Sequence, residues 1–235
     1  MSIKLIMFDL DGTLLPMNQN EFVKIYFEGL TNKFIPKGYE PKKLMESIWL
    51  GIKEMVKNDG SLLNEKVFWN KISSIYGNKI YDEIPSFEEY YLTDFIKAKE
   101  ACCLTNKANE IIKLSKNLGY KVILATNPIF PSVATKQRIK WAGLEESDFE
   151  LVTTYENSTS CKPNLRYYQE IMNKFNVTPE ECVMIGNDAT EDMISNELGI
   201  KVFLLKDCLI NSKNVDISKY PQGSFEELEI FIKNL

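Results

Sequence analysis

The chain has 235 residues, 44% of them hydrophobic, which is enough for one large domain or for a domain that carries a smaller insert. The net charge at pH 7 is −5, and acidic and basic residues are interspersed, so no basic surface for nucleic acid or for an anionic membrane is expected. There is no histidine, which excludes Ser-His-Asp and Cys-His nucleophilic machinery and the usual histidine-based metal sites.

The sequence also predicts a cytoplasmic protein. The first apolar run begins almost at Met1 and leads into charged residues, so no cleavable leader is expected. No apolar run reaches the roughly 18 residues that a membrane span needs. The five cysteines form an odd total without a CxxC pair, so we expect reduced thiols rather than a disulfide framework.

Short apolar runs without polar alternation predict strands that are buried on both faces of a parallel sheet. These runs cover residues 3–8, 121–126, 149–154, 182–186 and 201–205. Helical periodicity predicts helices over residues 107–118, 132–142, 164–175, 189–198 and 224–234. The alternation of strand and helix predicts an α/β fold whose core is a doubly wound, Rossmann-like parallel sheet of five strands.

The stretch from residue 16 to residue 98 interrupts this alternation. It has no convincing strand run, and its apolar and aromatic residues recur at helical spacing. We therefore expect an all-helical cap domain over 16–98, inserted into a core that consists of 1–15 and 99–235.

No motif explains the aromatic residues of this insert or the two arginines of the chain. The spacing of the aromatic residues fits the insert's own core better than a substrate pocket. These aromatic residues are Tyr26, Phe27, Trp49, Phe68, Trp69, Tyr76, Tyr90 and Tyr91. The only arginines, Arg138 and Arg166, could bind an anion, but surface or interhelix salt bridges are the commoner use. A monomer or a weak homodimer is expected.

The first predicted strand ends in two carboxylates, in the sequence "IMFDLDGTLL". Ligands of open α/β sheets bind at the carboxyl ends of the strands, and residues two apart in extended backbone lie on the same side. Asp9 and Asp11 can therefore face one reacting group. Carboxylates so close together call for a bound cation or a shared proton, and Mg²⁺ is suited because it bridges carboxylates to phosphate oxygens.

Three later strand ends carry complementary polar residues. A hydroxyl and an amide follow the second strand, an ammonium precedes a helix after the third, and carboxylates follow the fourth. These residues are Thr126 and Asn127 in "ATNP", Lys162 in "CKPN", and Asp188 and Asp192 in "GNDATED".

This order of four motifs resembles the haloacid dehalogenase superfamily, in its phosphatase-like branch, whose members often carry a cap after the first motif. The resemblance implies a magnesium-dependent phosphatase that acts on a small phosphorylated metabolite through an aspartyl-phosphate intermediate. A phosphomutase of the same family and a non-catalytic binding or regulatory protein stay open as alternatives. A dehalogenase is disfavoured, because displacement of a halide has no leaving oxygen for Asp11 to protonate.

The resemblance also implies a role for each catalytic residue. Asp9 would attack phosphorus, and Asp11 would protonate the leaving oxygen and then accept a proton from water. Thr126 would bind a phosphate oxygen. The adjacent Asn127 is either a second substrate contact or a turn former. Lys162 would bind the phosphoryl group and neutralise negative charge on it and on the nucleophile.

The metal ligands implied by the resemblance are Asp9, the main-chain carbonyl of Asp11, and Asp188. Asp192 would act as an auxiliary residue behind them. The fourth motif departs from the commonest family wording, because Asn187 stands directly after the glycine where aspartate is usual. Either Asn187 or Asp188 could therefore reach the metal, and Asp188 is favoured because a carboxylate binds Mg²⁺ better than a carboxamide.

Overall fold

A six-stranded parallel sheet forms the centre of the computed structural model, which describes residues 2–235. Its strands lie in the order β3-β2-β1-β4-β5-β6. They are β1 (Leu5–Phe8), β2 (Lys121–Leu124), β3 (Leu151–Val152), β4 (Cys182–Gly186), β5 (Lys201–Leu205) and β6 (Gln222–Gly223). In the central register, Leu5 lies between Lys121 and Cys182.

Residues 2–235 also form eight α-helices. They are α1 (Gln19–Phe34), α2 (Pro41–Val56), α3 (Asn64–Tyr76), α4 (Ile84–Leu92), α5 (Lys107–Asn117), α6 (Ser132–Trp141), α7 (Leu165–Phe175) and α8 (Phe225–Lys233). Short 3-10 helices cover Ile35–Lys37, Asn78–Glu83, Asp94–Ala101, Glu146–Asp148, Pro179–Glu181 and Met193–Leu198. None of the helices in this part of the chain has the length and apolar character needed to span a membrane.

Both faces of the sheet are covered, as the apolar runs predict. Ile6 and Phe8 of β1 belong to one hydrophobic cluster, which also contains side chains of α5 and α8. Leu5 and Met7 point to the opposite face and pack in a second cluster with side chains of α7. Because successive strand residues alternate between the faces, these two clusters confirm a doubly wound sheet.

The structure corrects three details of the predicted core. The sheet has six strands rather than five, because the short strand β6 adds to the outer side of β5. The third strand is only Leu151–Val152. In the predicted helix over 189–198, only Met193–Leu198 is helical, and it is a 3-10 helix. Asp188 holds the preceding turn, since its Oδ1 accepts the backbone N–H groups of Thr190 and Glu191.

Helices α1 to α4 and the 3-10 helix Asp94–Ala101 lie between β1 and α5 in the sequence, and we call residues 19–101 the helical segment. The chain enters and leaves this segment along two adjacent stretches. The Asn18 N–H donates to the Ala101 carbonyl, and the Cys103 N–H donates to the Pro16 carbonyl. The predicted domain boundaries at 15/16 and 98/99 lie within a few residues of this crossing, and the division into two domains stays a prediction.

Helix α3 joins the helical segment to the core. The Asn64 backbone N–H donates to the Ser158 carbonyl at 2.9 Å, and its side-chain amide donates to the Ser160 carbonyl at 3.2 Å. Asn64 is fully buried, so these bonds satisfy polar groups that water cannot reach. The loop that leads to Lys162 is therefore in direct contact with the helical segment.

Candidate active site

The polar strand ends predicted from the sequence converge at the carboxyl edge of β1, β2 and β4. Main-chain hydrogen bonds continue just past these strands: the Asp9 N–H donates to the Ile185 carbonyl, and the Ala125 N–H donates to the Phe8 carbonyl. Because the backbone stays paired there, the first, second and fourth motifs leave the sheet side by side.

Lys162 joins the first motif to the fourth. Its Nζ atom lies 2.9 Å from Asp9 Oδ1 and 2.6 Å from Asp192 Oδ1, and its side chain is 1% exposed. Burial opposes the charged ammonium, but the Asp192 and Asp9 carboxylates outweigh it and raise the pKa of Lys162 well above its ordinary value. The site therefore contains a fixed positive charge beside Asp9.

Arg138 of α6 makes a second buried ion pair, which the sequence did not predict. Its Nη1 atom donates to Asp11 Oδ2, and its guanidinium lies 4.3 Å from the centre of the Phe130 ring. The other carboxylate oxygen of Asp11, Oδ1, is buried and has no hydrogen-bond partner among residues 2–235. Burial raises the pKa of Asp11, and the Arg138 charge opposes that rise. Arg138 therefore holds Asp11 Oδ2, and Asp11 Oδ1 is available to a ligand.

Both polar atoms of the Asn187 side chain have protein partners. Its Oδ1 accepts the Thr13 hydroxyl at 3.0 Å, and its Nδ2 donates to the Cys208 carbonyl at 2.7 Å. The neighbouring Asp188 uses Oδ1 for two backbone N–H groups, and its Oδ2 has no hydrogen bond within residues 2–235. Of these two neighbours, Asp188 is the one with an oxygen free for a ligand.

Asn127 and Glu191 form a further polar contact, in which Asn127 Nδ2 donates to Glu191 Oε2 at 2.9 Å. Burial raises the pKa of Glu191 to about 7. The carbonyl of Thr126 accepts the hydroxyls of Thr153 and Tyr167, at 2.7 Å and 2.9 Å, which fixes the end of β2. These bonds hold the backbone and leave the Thr126 hydroxyl without a partner in the described chain.

A cavity of 540 Å³ opens over these residues. All the site residues predicted from the sequence line it except Lys162, which lies beneath the carboxylates. The lining residues from the four motifs are Asp9, Asp11, Thr126, Asn127, Asn187, Asp188, Glu191 and Asp192. The opposite wall comes mainly from α1 and α2 of the helical segment. Three aromatic residues that the sequence assigned to the insert's own core, Tyr26, Phe27 and Trp49, also line this wall.

The donor set at this edge suits Mg²⁺. No group of three His, Cys, Asp or Glu side chains within residues 2–235 is arranged to hold a metal. A metal ion at this edge would therefore have at most two such side chains as ligands, and its further ligands would have to be main-chain oxygens and water. Mg²⁺ commonly binds in this way, through one or two carboxylates and several retained waters. The unbonded Oδ2 of Asp188 is the feature that fits such an ion.

The haloacid dehalogenase-like hydrolase family matches residues 3–197, a span that contains all four motifs. The chain belongs to this family. It is 24% identical over 204 residues to the pyrophosphatase PpaX of Bacillus cereus, a match that covers 86% of this chain and 82% of the relative.

Solved structures share the fold of this hydrolase over nearly its whole length. A HAD phosphatase from Thermococcus onnurineus has a TM-score of 0.62 at 16% identity, with 98% of each chain covered. A 2-haloacid dehalogenase from Pseudomonas syringae has a TM-score of 0.63 at 16% identity, with 99% of each chain covered. Since a phosphatase and a dehalogenase match about equally well, the fold alone does not separate their chemistries.

The comparisons confirm the predicted family and the predicted enzyme class, a hydrolase. Sequence reasoning missed the partners of the motif residues, above all Arg138 and Glu191. A signal for Arg138 exists in helix α6, because it lies on the same helical face as the buried Ala134 and one turn after it. Glu191 lies inside the fourth motif, but the sequence pattern gave functional roles only to its neighbours Asp188 and Asp192.

Proposed function

We propose that this hydrolase is a magnesium-dependent phosphatase that acts on a small phosphorylated metabolite through an aspartyl phosphate on Asp9. The observation that carries the proposal is that Asp9 and Asp11 line one cavity, each paired with a different buried cation. A nucleophile beside a positive charge and a carboxyl with a free oxygen are the two groups that phosphoryl transfer requires. The name of the Bacillus cereus relative agrees with this chemistry.

In the first half of the proposed reaction, a carboxylate oxygen of Asp9 forms a bond to phosphorus as the bond to the leaving oxygen breaks. Asp11 donates its proton to that oxygen, so the alcohol leaves neutral. Thr126 donates its hydroxyl to a non-bridging phosphate oxygen, and Lys162 neutralises charge on Asp9 and on the phosphoryl group. The buried, unpartnered Oδ1 of Asp11 is the atom that we assign to the proton transfer.

In the second half, water attacks the phosphorus of the aspartyl phosphate. Asp11, now ionised, accepts a proton from that water, and the P–O bond to Asp9 breaks to release inorganic phosphate. The free enzyme is restored with Asp11 protonated. The hydrogen bond from Arg138 would keep the Asp11 carboxyl in one orientation through both steps, because it fixes Oδ2 whether or not Oδ1 carries a proton.

We propose that Mg²⁺ is held by Asp9, Asp188 and the main-chain carbonyl of Asp11. When bound, it would neutralise the carboxylates and align a phosphate oxygen with the nucleophile. Asn187 would instead position Thr13, given its two hydrogen bonds to protein groups. Asp192 would act behind the ligands, since its Oδ2 accepts the Asp188 N–H at 3.0 Å and its Oδ1 binds Lys162.

We further propose that residues 16–98 act as a cap domain over this core. The support is the cavity itself, whose far wall comes from α1 and α2, and the crossing of the chain at Pro16–Asn18 and Ala101–Cys103. A pair of adjacent connections allows a cap to tilt as one body. Closure would exclude bulk water from the aspartyl phosphate until hydrolysis.

The test is hydrolysis of 4-nitrophenyl phosphate with and without Mg²⁺ by the natural chain, by Asp9→Asn and by Asp11→Asn. Nitrophenolate leaves without a proton, so Asp11→Asn should still become phosphorylated but should lose the base for the second step. Mass spectrometry after an acid quench should then find one phosphoryl group on the Asp9 peptide of Asp11→Asn. Turnover that survives in Asp9→Asn, or that needs no divalent cation, would overturn the proposal.

A further inference from the structure

The cavity has two chemically different ends. The end at the sheet is formed by the polar residues of the four motifs, whereas the far wall is almost entirely apolar. That wall comprises Phe22, Val23 and Phe27 of α1 and Trp49, Ile52 and Val56 of α2. Ile129 and Phe130, from the loop after β2, extend the apolar surface on the core side.

The polar side chains on this wall are few, and none of them carries a charge. The Tyr26 hydroxyl lies 3.0 Å from the Tyr91 hydroxyl, so it already has a partner. Gln19 and Asn20 begin helix α1 and are exposed. The part of a substrate that extends beyond the phosphoryl group would therefore meet mainly aromatic and aliphatic carbon.

No lysine or arginine lines the cavity within the described residues 2–235. The two cations nearest to the site are both committed at its polar end. Lys162 binds Asp9 and Asp192, and Arg138 binds Asp11. The cavity surface thus carries five carboxyl groups and no side-chain cation that could meet a second negative charge on a substrate.

We infer that the substrate is a phosphate monoester whose alcohol is uncharged and largely apolar, of aryl or short alkyl type. This inference rests on the proposed phosphatase function and narrows its substrate class. An anionic leaving group, such as a carboxylate or a second phosphate, would be desolvated against carbon without a counter-charge, which is strongly unfavourable. A neutral alcohol would instead bury apolar surface there, in a cavity of the size that small ligands occupy.

The substrate inferred for this chain therefore differs from the one in its relative's name. Pyrophosphate, the substrate class in the name of the Bacillus cereus relative, has a phosphate as its leaving group. In this cavity that group would face Phe22, Phe27 and Trp49. We expect pyrophosphate to be a poor substrate.

Two isosteric esters isolate the charge of the leaving group: 4-carbamoylphenyl phosphate, which is neutral at the ring substituent, and 4-carboxyphenyl phosphate, which is anionic there. With saturating Mg²⁺, kcat/KM for the neutral ester should exceed that for the anionic one by about tenfold or more, as like charge and lost solvation both act against the latter. Pyrophosphate, measured alongside by phosphate release, should be slower than the neutral ester.

Val56→Lys supplies the missing cation, because Val56 lines the cavity at the exposed end of α2. The matched control is Leu50→Lys, which adds the same charge to an exposed position of the same helix outside the cavity. Val56→Lys should reduce the preference for the neutral ester by about fivefold, and Leu50→Lys should leave it unchanged.

Each outcome can be assigned. A natural chain that hydrolyses the anionic ester or pyrophosphate as well as the neutral ester would overturn this inference and leave the phosphatase function standing. An equal effect of the two lysine variants would also overturn it, since the cavity wall would then not set the preference. Hydrolysis of none of the three compounds would overturn the proposed function and this substrate class together.

Discussion

The Arg138 guanidinium, buried in helix α6, donates to Asp11 Oδ2 at the end of strand β1. The side chain of Arg138 is 1% exposed, so it reaches the site from inside the core rather than from solvent. It is held there by the ring of Phe130 and by the Thr135 hydroxyl, which lies 3.2 Å from Nη2. This pair fixes one face of the carboxyl that we assign to acid–base chemistry.

Arg138→Met should therefore lower both the stability of the protein and its rate of turnover. It leaves the buried Asp11 carboxyl group without its partner, and breaking a buried pair in this way costs about 3 kcal/mol of the free energy of unfolding. Urea unfolding followed by circular dichroism measures this loss. Arg166→Met, at the other and exposed arginine, is the matched control and should change stability by less than about 0.5 kcal/mol.

The double variant Asp11→Asn/Arg138→Met distinguishes an ion pair from simple packing. When Asp11 is already Asn, Arg138→Met leaves no carboxyl group without its partner. Its cost in free energy of unfolding should then be smaller than in the natural chain by about 1 kcal/mol or more. Equal costs in the two backgrounds would mean that Arg138 stabilises the fold by packing against Phe130 and not through Asp11.

Lys162→Met should abolish most of the activity. The substitution removes the only ammonium that contacts Asp9 in the described chain, and it leaves Asp9 and Asp192 as neighbouring buried carboxylates. Loss of such a fixed positive charge should lower kcat for 4-nitrophenyl phosphate by about 100-fold or more. Lys140→Met, on the exposed side of α6, is the control and should retain normal turnover. A Lys162→Met variant with nearly normal kcat would remove Lys162 from the mechanism.

The sequence was enough to bring the motif residues to one edge, because parallel strands align their carboxyl ends whatever their lateral order. Asp9 and Lys162 are 153 positions apart, yet both lie at strand or loop ends that the apolar runs identify. Their meeting follows from fold class alone. A strand buried on both faces, as its apolar run predicts, must place neighbours such as Leu5 and Ile6 in different clusters, and the structure does so.

Features that depend on tertiary placement were not predictable in the same way. Strand β6 is Gln222–Gly223, which has no apolar pattern and pairs with β5 through its backbone. The partner of Asp11 depends on how α6 is rotated against the sheet. Helical spacing predicts the buried face of α6, but it does not predict which residue of that face contacts Asp11. The cavity wall required both the packing of α1 on α2 and their position over the core, so Trp49 could not be assigned to it from periodicity.

Asp188→Asn should raise the Mg²⁺ concentration that the activity requires. Replacing the free carboxylate oxygen by an amide removes charge from the proposed ligand set, so the Mg²⁺ concentration for half-maximal activity should rise by about tenfold or more. Direct titration of Mn²⁺ into each protein by calorimetry gives a second readout that does not need turnover.

Asn187→Ala tests whether Asn187, rather than its neighbour Asp188, binds the metal. It removes the donor to the Cys208 carbonyl and one of the two acceptors of the Thr13 hydroxyl, so it should lower stability by about 1–3 kcal/mol while leaving the metal affinity much closer to normal. The reverse pattern, with metal affinity lost in Asn187→Ala and kept in Asp188→Asn, would assign the metal to Asn187.

Gly12→Ala should disrupt the turn that separates Asp11 from Thr13. Gly12 has φ of +83°, and an added Cβ would lie 2.3 Å from Asn187 Nδ2, so the substitution combines backbone strain with a collision. Gly38→Ala provides a matched reference, because Gly38 has nearly the same φ of +85° and no heavy atom within 4 Å of the added Cβ. In urea unfolding, Gly38→Ala should cost about 1 kcal/mol and Gly12→Ala about 2–4 kcal/mol. The difference between them measures how firmly Asn187 is held by Thr13 and Cys208. Equal costs would show that Asn187 moves aside freely, and Asn187 could then not be the residue that positions Thr13.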